Sequence, residues 1–407
     1  MKLKITLIAL LLAFTYSLNA QEISDAKFGK GIFNFVAKDS SFSVKFGARF
    51  QINSTSTWNF DSSRDQFGSP DHNFDLRRAR LKFDGFAFSP KLKYKIELGL
   101  SNRDVSGANQ FNRNTPRTIL DAVIKWNFAG NWELWAGQTK LPGNVERVVS
   151  SANLQFIDRS LLNSRFNIDR DLGIQLRHKD KLGKNFVIRE KFSLSQGEGR
   201  NITEGNIGGL QYTGRVEFLP FGEFQSKGEY FQSDLKREQK PKLFLAFTYN
   251  FNDNAVRSRS GLGSFLFIDN GNNLFESDAT TIFADAVFKY RGFAFQGEYA
   301  HRDVDNVLAI NTDGTSAGNG FSTGNALNLQ ASYLFKSNFE IAGRFTTLDE
   351  DNVSGGAIVG ADTNEYTLGV SKYIVGHNLK VQSDFSYRTV NGIENRLGFR
   401  MGFELQF

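Results

Sequence analysis

The chain has 407 residues, with 49 Lys and Arg against 43 Asp and Glu, a formal charge of +6 that is too small to mark a nucleic-acid partner. It has no cysteine, which excludes disulfides and thiolate metal sites, and its four histidines (His72, His178, His301, His377) lack ligand-like spacing, so neither a metal nor a cofactor is expected. There are 41 Phe and 38 Gly but only 6 Pro, in a chain that is just 40% hydrophobic. High aromatic content with overall polarity results when alternate residues of every strand face lipid and the others face water.

In chain order, Lys2 and Lys4 precede an apolar run from Ile5 to Phe14, and a polar stretch ends in Ser17-Leu18-Asn19-Ala20. This is the build of a signal peptide over residues 1–20, with an apolar run too short to span a bilayer. Its removal takes two lysines from the formal charge. A short periplasmic segment, 21–42, and a barrel domain, 43–407, are expected to follow. From Ser43 onward period-two alternation dominates. Leu92, Tyr94, Ile96, Leu98 and Leu100 alternate with Lys91, Lys93, Lys95, Glu97 and Gly99. Leu120, Ala122, Ile124, Trp126 and Phe128 form a second set, and Leu243, Leu245, Phe247, Tyr249 and Phe251 a third. The final strand alternates Leu397, Phe399, Met401, Phe403, Leu405 and Phe407 with polar or small residues.

The connections are unequal. Short turns are expected near Ser89-Pro90, Ala129-Asn131, Lys181-Lys184, Pro220-Gly222, Arg291-Gly292, Lys336-Asn338 and Val375-His377. Long polar loops are expected at 104–118, 140–169, 196–207, 303–323 and 348–363. Short turns on one side and long loops on the other predict an all-β, antiparallel barrel of the outer membrane, reached after export in a Gram-negative cell. About 17 strands are evident where an even number is needed. Val256–Ile268 either adds a strand, giving 18, or belongs to a long loop, giving 16.

The hairpin around Ser89-Pro90 carries the charge pattern. With Leu81, Phe83, Ile96 and Leu98 facing lipid, Phe83 lies opposite Ile96, Leu81 opposite Leu98, Asp84 opposite Lys95 and Lys82 opposite Glu97. These charges are expected to neutralise one another across the strands. Arg80 then faces Gly99 and Arg78 faces Ser101, leaving both arginines without an opposing carboxylate in the bore, with Arg80 ~20 Å from the turn. A fixed cation in a narrow low-dielectric channel attracts anions, and guanidinium offers bidentate contacts to phosphate or carboxylate. Arg78, Arg80, Lys82, Lys93 and Lys95 are therefore the expected anion path. The loop 140–169 carries Arg147, Arg159 and Arg165, with Arg170 opening the next strand, and an apolar run of Leu154, Phe156, Ile157, Leu161 and Leu162 unsuited to water. Folded inward, it would narrow the bore and add cations to it.

The run Phe74-Asp75-Leu76-Arg77-Arg78-Ala79-Arg80-Leu81-Lys82-Phe83-Asp84-Gly85 resembles the phosphate-selective porin O and P family. So do Tyr94-Lys95-Ile96-Glu97-Leu98, Trp135-Ala136-Gly137-Gln138-Thr139-Lys140 and the segment Asn163-Asp171. The resemblance runs from about Phe46 to the C-terminal Phe. It implies 16 strands, a homotrimer, inward loops and basic residues along an anion path. The expected function is passive diffusion of small anions such as phosphate, with outer-membrane lipid and lipopolysaccharide around the wall. The alternative is a structural or adhesive barrel with a closed lumen. No enzyme is expected, because His178 and His301 fall on the lipid-facing side without an assignable serine or orienting acid.

Overall fold

The computed structural model describes residues 28–105, 107–202 and 207–407, so the signal-peptide segment lies outside the described residues. Sixteen strands close into one antiparallel barrel. They are β1 (Ser43–Asp61), β2 (Asp71–Ala87), β3 (Ser89–Gly99), β4 (Ile119–Ala129), β5 (Trp132–Lys140), β6 (Arg170–Leu182), β7 (Phe186–Ser195) and β8 (Gln211–Leu219). The second half is β9 (Lys242–Ala255), β10 (Ser277–Tyr290), β11 (Phe293–Val304), β12 (Thr323–Leu334), β13 (Phe339–Ser354), β14 (Ala357–Val375), β15 (Leu379–Val390) and β16 (Ile393–Gln406). Each strand pairs with its neighbour in sequence, and β16 returns to β1 with Arg49 opposite Gln406 and Asn59 opposite Arg396. Closure leaves no sheet edge unpaired, the condition for crossing a bilayer with strands. Before β1, Phe33–Val36 pairs back onto Ser43–Phe46.

The strand count settles on 16, because Val256–Ile268 adds nothing to the wall. It folds instead into small hairpins inside the loop after β9, Arg257–Arg259 with Leu262–Phe265 and Phe267–Ile268 with Asn273–Leu274. Three connections depart from the sequence expectation. The expected loop 348–363 is strand, with β13 and β14 running on to a tight turn at Gly355-Gly356. On the same side β15 and β16 are joined by Asn391-Gly392, both at positive φ (50° and 75°), the twist-matched turn that Asn-Gly favours. Pro220-Gly222 is not a short turn. Residues 220–241 form a long segment there, between β8 and β9.

The β2–β3 register is the one expected from parity, pairing Arg80 with Gly99, Lys82 with Glu97 and Asp84 with Lys95. Ile96 and Phe83 therefore point outward and Lys82 inward. A cysteine at Lys82, whose side chain is 44% exposed, should react with a small membrane-impermeant thiol reagent in intact membranes, while Ile96→Cys should be protected. The opposite ranking would overturn the register.

The interior is not an empty tube. The loop 141–169 crosses the lumen, and its apolar residues pack on apolar patches of the inner wall. Val145, Val149 and Leu154 meet Val187, Phe244, Ala246 and Val287. Leu141, Leu162, Phe166 and Ile168 meet Phe283, Ala300, Ala326 and Leu348. Ser160 caps the helix Leu161–Phe166 through the Asn163 amide, setting the return of the loop toward β6. From the turn side, residues 220–241 rise to meet it. The Gln232 amide donates to the Asn153 carbonyl at 2.9 Å, and the Gln155 amide to the Gln232 side chain at 2.9 Å. The Lys289 ammonium holds the Gly228 and Phe231 carbonyls at 2.8 and 2.6 Å, and Phe224 joins the Val145 cluster. Loop and floor together fill the lumen beside β7–β14, leaving space along the wall built by β1–β4.

Candidate pore constriction

Two chambers lie along that wall. One, about 820 Å³, opens toward the turn side and is lined by Arg49, Lys82, Asp84, Lys95 and Glu97. The other, about 920 Å³, opens toward the loop side. Arg80 lines both, so the neck between them is at its guanidinium. Arg49 and Arg80 are register partners on β1 and β2. The Ser151 hydroxyl, carried in by the inward loop, accepts from Arg49 Nη1 at 2.8 Å and sits 3.5 Å from Arg80 Nη1. Two guanidiniums and a hydroxyl thus converge where the path is narrowest.

The arginines expected to be unpaired are in fact paired. Arg80 binds Asp104 at 2.6 Å and Glu97 at 3.1 Å. Asp104 comes from the short helix Asn102–Val105 after β3, which strand parity does not see. Arg78 contacts Asp158 at 3.3 Å and also the Gln51 side chain. Gln51 faces Arg78 and Ile52 faces Leu76, so Arg77 is the extra residue of a β-bulge. The bulge turns both Arg77 and Arg78 toward Asp158, at 2.9 and 3.3 Å. The cross-strand pairs expected for Lys82 and Lys95 are also replaced. Lys82 binds Asp84 on its own strand at 2.8 Å, while Lys95 binds Glu97 at 2.7 Å and Asp121 at 2.8 Å. Long side chains reach neighbours along a strand as readily as across it. Asp121, fully enclosed, is shared with Arg170 at 3.1 Å. Lys93 stands exposed near the turn opposite Lys125, away from both chambers.

Of the loop arginines, Arg147 is clamped on Asp169, and Arg165 reaches Glu350 at 3.5 Å, half exposed and outside the two chambers. Arg159 donates to the Glu146 and Val149 carbonyls at 2.8 and 2.7 Å. Several others carry no mark in the strand pattern. Lys140 caps the Arg147 and Val148 carbonyls, Arg257 those of Gly263 and Glu198, and Arg259 that of Ser164. Arg200 meets the Asp104 carbonyl. The arginines among these side chains have no carboxylate at ion-pair distance among the described residues, so neutral carbonyls hold their charge in place. The loop-side chamber is consequently lined by twelve arginines and one lysine against three aspartates. Burial, with a smaller push from neighbouring guanidiniums, brings Arg159 and Arg200 down to about 10. Both stay charged at neutral pH.

One acid at the rim behaves differently. Glu198, in the loop after β7, is buried and its Oε2 has no hydrogen-bond partner among the described residues. Burial first, and Asp171 second, push its carboxyl up to about 7. It is neutral below that pH and negative above it, so the cationic field of the chamber should strengthen as pH falls from 8 to 6. His377, buried on the turn side beside Lys380, is held well below the usual imidazole range and stays neutral throughout. Anion preference, read as reversal potential against pH, should rise on acidification with a midpoint near the about 7 of Glu198. Glu198→Gln should show the acidic value at every pH. A wild-type profile flat across this range would remove Glu198 from the argument.

The fold is that of known channels. It is similar to an anion-selective porin from Comamonas acidovorans (13% identity over 90% of this chain and 100% of that chain, TM-score 0.53). It is also similar to the outer membrane channel DcaP of Acinetobacter baumannii (11%, 91% and 99%, 0.51) and to Salmonella typhi OmpF in complex with daunomycin (10%, 92% and 100%, 0.51). Comparison with curated proteins gives no match. A closed 16-stranded barrel with a polar bore narrowed by an inward loop is an outer-membrane porin. The profile of the phosphate-selective porin O and P family matches residues 44–407, and the chain belongs to that family.

Proposed function

We propose that this porin is a passive diffusion channel that favours small anions, phosphate among them, over cations. The observation that carries the reading is the excess of arginine in the loop-side chamber, leading to a neck made of Arg49, Arg80 and Ser151. Fixed cations between low-dielectric walls concentrate anions, and guanidiniums offer planar paired donors to tetrahedral and carboxylate oxyanions. Carbonyl-anchored arginines keep their charge, whereas the carboxylate-paired Arg80, Lys95 and Arg170 add shape and order. Reversal potential across a planar bilayer in a potassium chloride gradient tests the reading. Chloride should carry most of the current, and a potassium-selective or silent channel would overturn it.

The same reading includes export directed by residues 1–20, a periplasmic position for residues 21–42 and an outer wall that meets lipid and lipopolysaccharide. It also includes a homotrimer. Light scattering on protein extracted in mild detergent should give the mass of three chains, and a monodisperse monomer would remove the trimer.

A further inference from the structure

The outer wall from β5 to β9 carries a feature that the channel does not use. On β6 the outward residues Leu172, Ile174 and Leu176 give way to His178 and Asp180, which marks the periplasmic edge of the apolar band. Trp132, His178, Glu190, Val216 and Phe247 follow one another across the strands at this edge. Just inside it, a groove of about 490 Å³ runs over Gly214 and Val216. Leu176 and Phe192 form one bank, Phe247 and Tyr249 the other. The groove exists because Gly214 has no side chain. A Cβ there would meet nothing within 4 Å.

A carboxylate guards its periplasmic end. Asn131 Nδ2 lies 2.9 Å from His178 Nε2 and can only donate, so His178 Nε2 accepts. His178 Nδ1–H then donates to Glu190 Oε2 at 3.0 Å. The imidazole engages one oxygen of Glu190, whose side chain is 47% exposed, while Glu190 Oε1 has no partner among the described residues. Asp180 is exposed on the neighbouring outward position. The outward positions around the groove carry these two acids and no lysine or arginine. Glu190 lies opposite Val216, and Phe192 opposite Gly214. The carboxylate is therefore two residues, ~7 Å along the strand, closer to the periplasm than the floor of the groove.

We propose that this face holds one phospholipid of the periplasmic leaflet, with an ammonium headgroup on Glu190 and one acyl chain laid over Gly214. The geometry matches on both counts, since the charge sits at headgroup level and the apolar channel continues toward the bilayer centre. Trp132, stacked on His178 at 4.3 Å, fixes the level as an interfacial aromatic does.

The test is native mass spectrometry of delipidated protein titrated with phosphatidylethanolamine or with phosphatidylglycerol. The wild type should retain one phosphatidylethanolamine per chain in preference to phosphatidylglycerol. Glu190→Gln should abolish that preference, weakening phosphatidylethanolamine by about fivefold, as for one part-exposed ion pair. Gly214→Leu should weaken both lipids alike. Heat-modifiable migration confirms that each variant is folded. An unchanged lipid preference in Glu190→Gln overturns the headgroup assignment, and equal retention by Gly214→Leu overturns the groove. A Gly214→Leu protein that loses its oligomeric mass would instead make this face the seat of a second copy and overturn the lipid proposal.

Discussion

Replacing Arg49 and Arg80 together with alanine should shift the chloride-to-potassium permeability ratio by about tenfold toward potassium. The reason is what the two side chains leave behind. Glu404 loses its 2.6 Å partner Arg49, and Asp104 loses its 2.6 Å partner Arg80. The neck thus loses two ion-paired guanidiniums; Asp104 is left without a cationic partner among the ion pairs of the described residues, while Glu404 keeps only Lys380, at 3.6 Å. One unit charge at 4 Å is worth ~4 kcal/mol at an effective dielectric near 20, so a tenfold change, ~1.4 kcal/mol, needs only part of that field. The shift should shrink at 1 M salt, where the Debye length is about 3 Å. Arg78→Ala should do less, because Asp158 keeps Arg77 at 2.9 Å and Arg400 at 3.6 Å. A double mutant with normal conductance and an unchanged reversal potential would move the filter out to the arginines of the loop-side chamber.

Shortening the turn-side floor should have the second large effect. Cutting 224–238 to a brief turn removes Phe224 from the Val145 cluster and strips the loop of its contacts at Asn153 and Gln155. Single-channel conductance should rise severalfold while anion preference falls, because the space beside β7–β14 would open to ions that bypass the neck. It would also leave the Lys289 ammonium without the carbonyls that hold it. Unchanged conductance in a folded variant would show that the floor does not limit the path.

Barrel, family and β2–β3 register were legible because each is written locally. Alternation fixes which face a residue takes, and a turn fixes what lies opposite. What failed was whatever depends on side chains meeting across the lumen. Asp104 follows a strand end and Asp158 sits at the tip of a loop, so no period announces that they reach Arg80 and Arg78. The bulge at Arg77 breaks the alternation that would otherwise send it to lipid. Arg49 was available, since it shares its inward parity with Gln51 on β1, yet only the approach of Ser151 distinguishes it. The docking of the loop also left a trace. Phe244, Phe283 and Val287 are apolar at inward positions, where a water-filled bore would have polar residues. The floor left a weaker one, because Pro220-Gly222 has the composition of a turn that ends a hairpin.

The closing seam has a consequence for how the channel comes into being. Arg49 belongs to the first strand of the wall and Glu404 to the last, 355 residues apart in sequence and 2.6 Å apart in space. Lys380 on β15 shares that carboxylate at 3.6 Å and also holds the Leu154 carbonyl of the inward loop at 2.7 Å. The neck thus draws on the first and last strands of the wall, and contacts of such separation form late. A chain arrested before its last strand docks has neither a sealed wall nor an ordered filter. Insertion and selectivity are completed by the same event, so a half-built barrel cannot become an unselective leak that merely lacks its finishing touch.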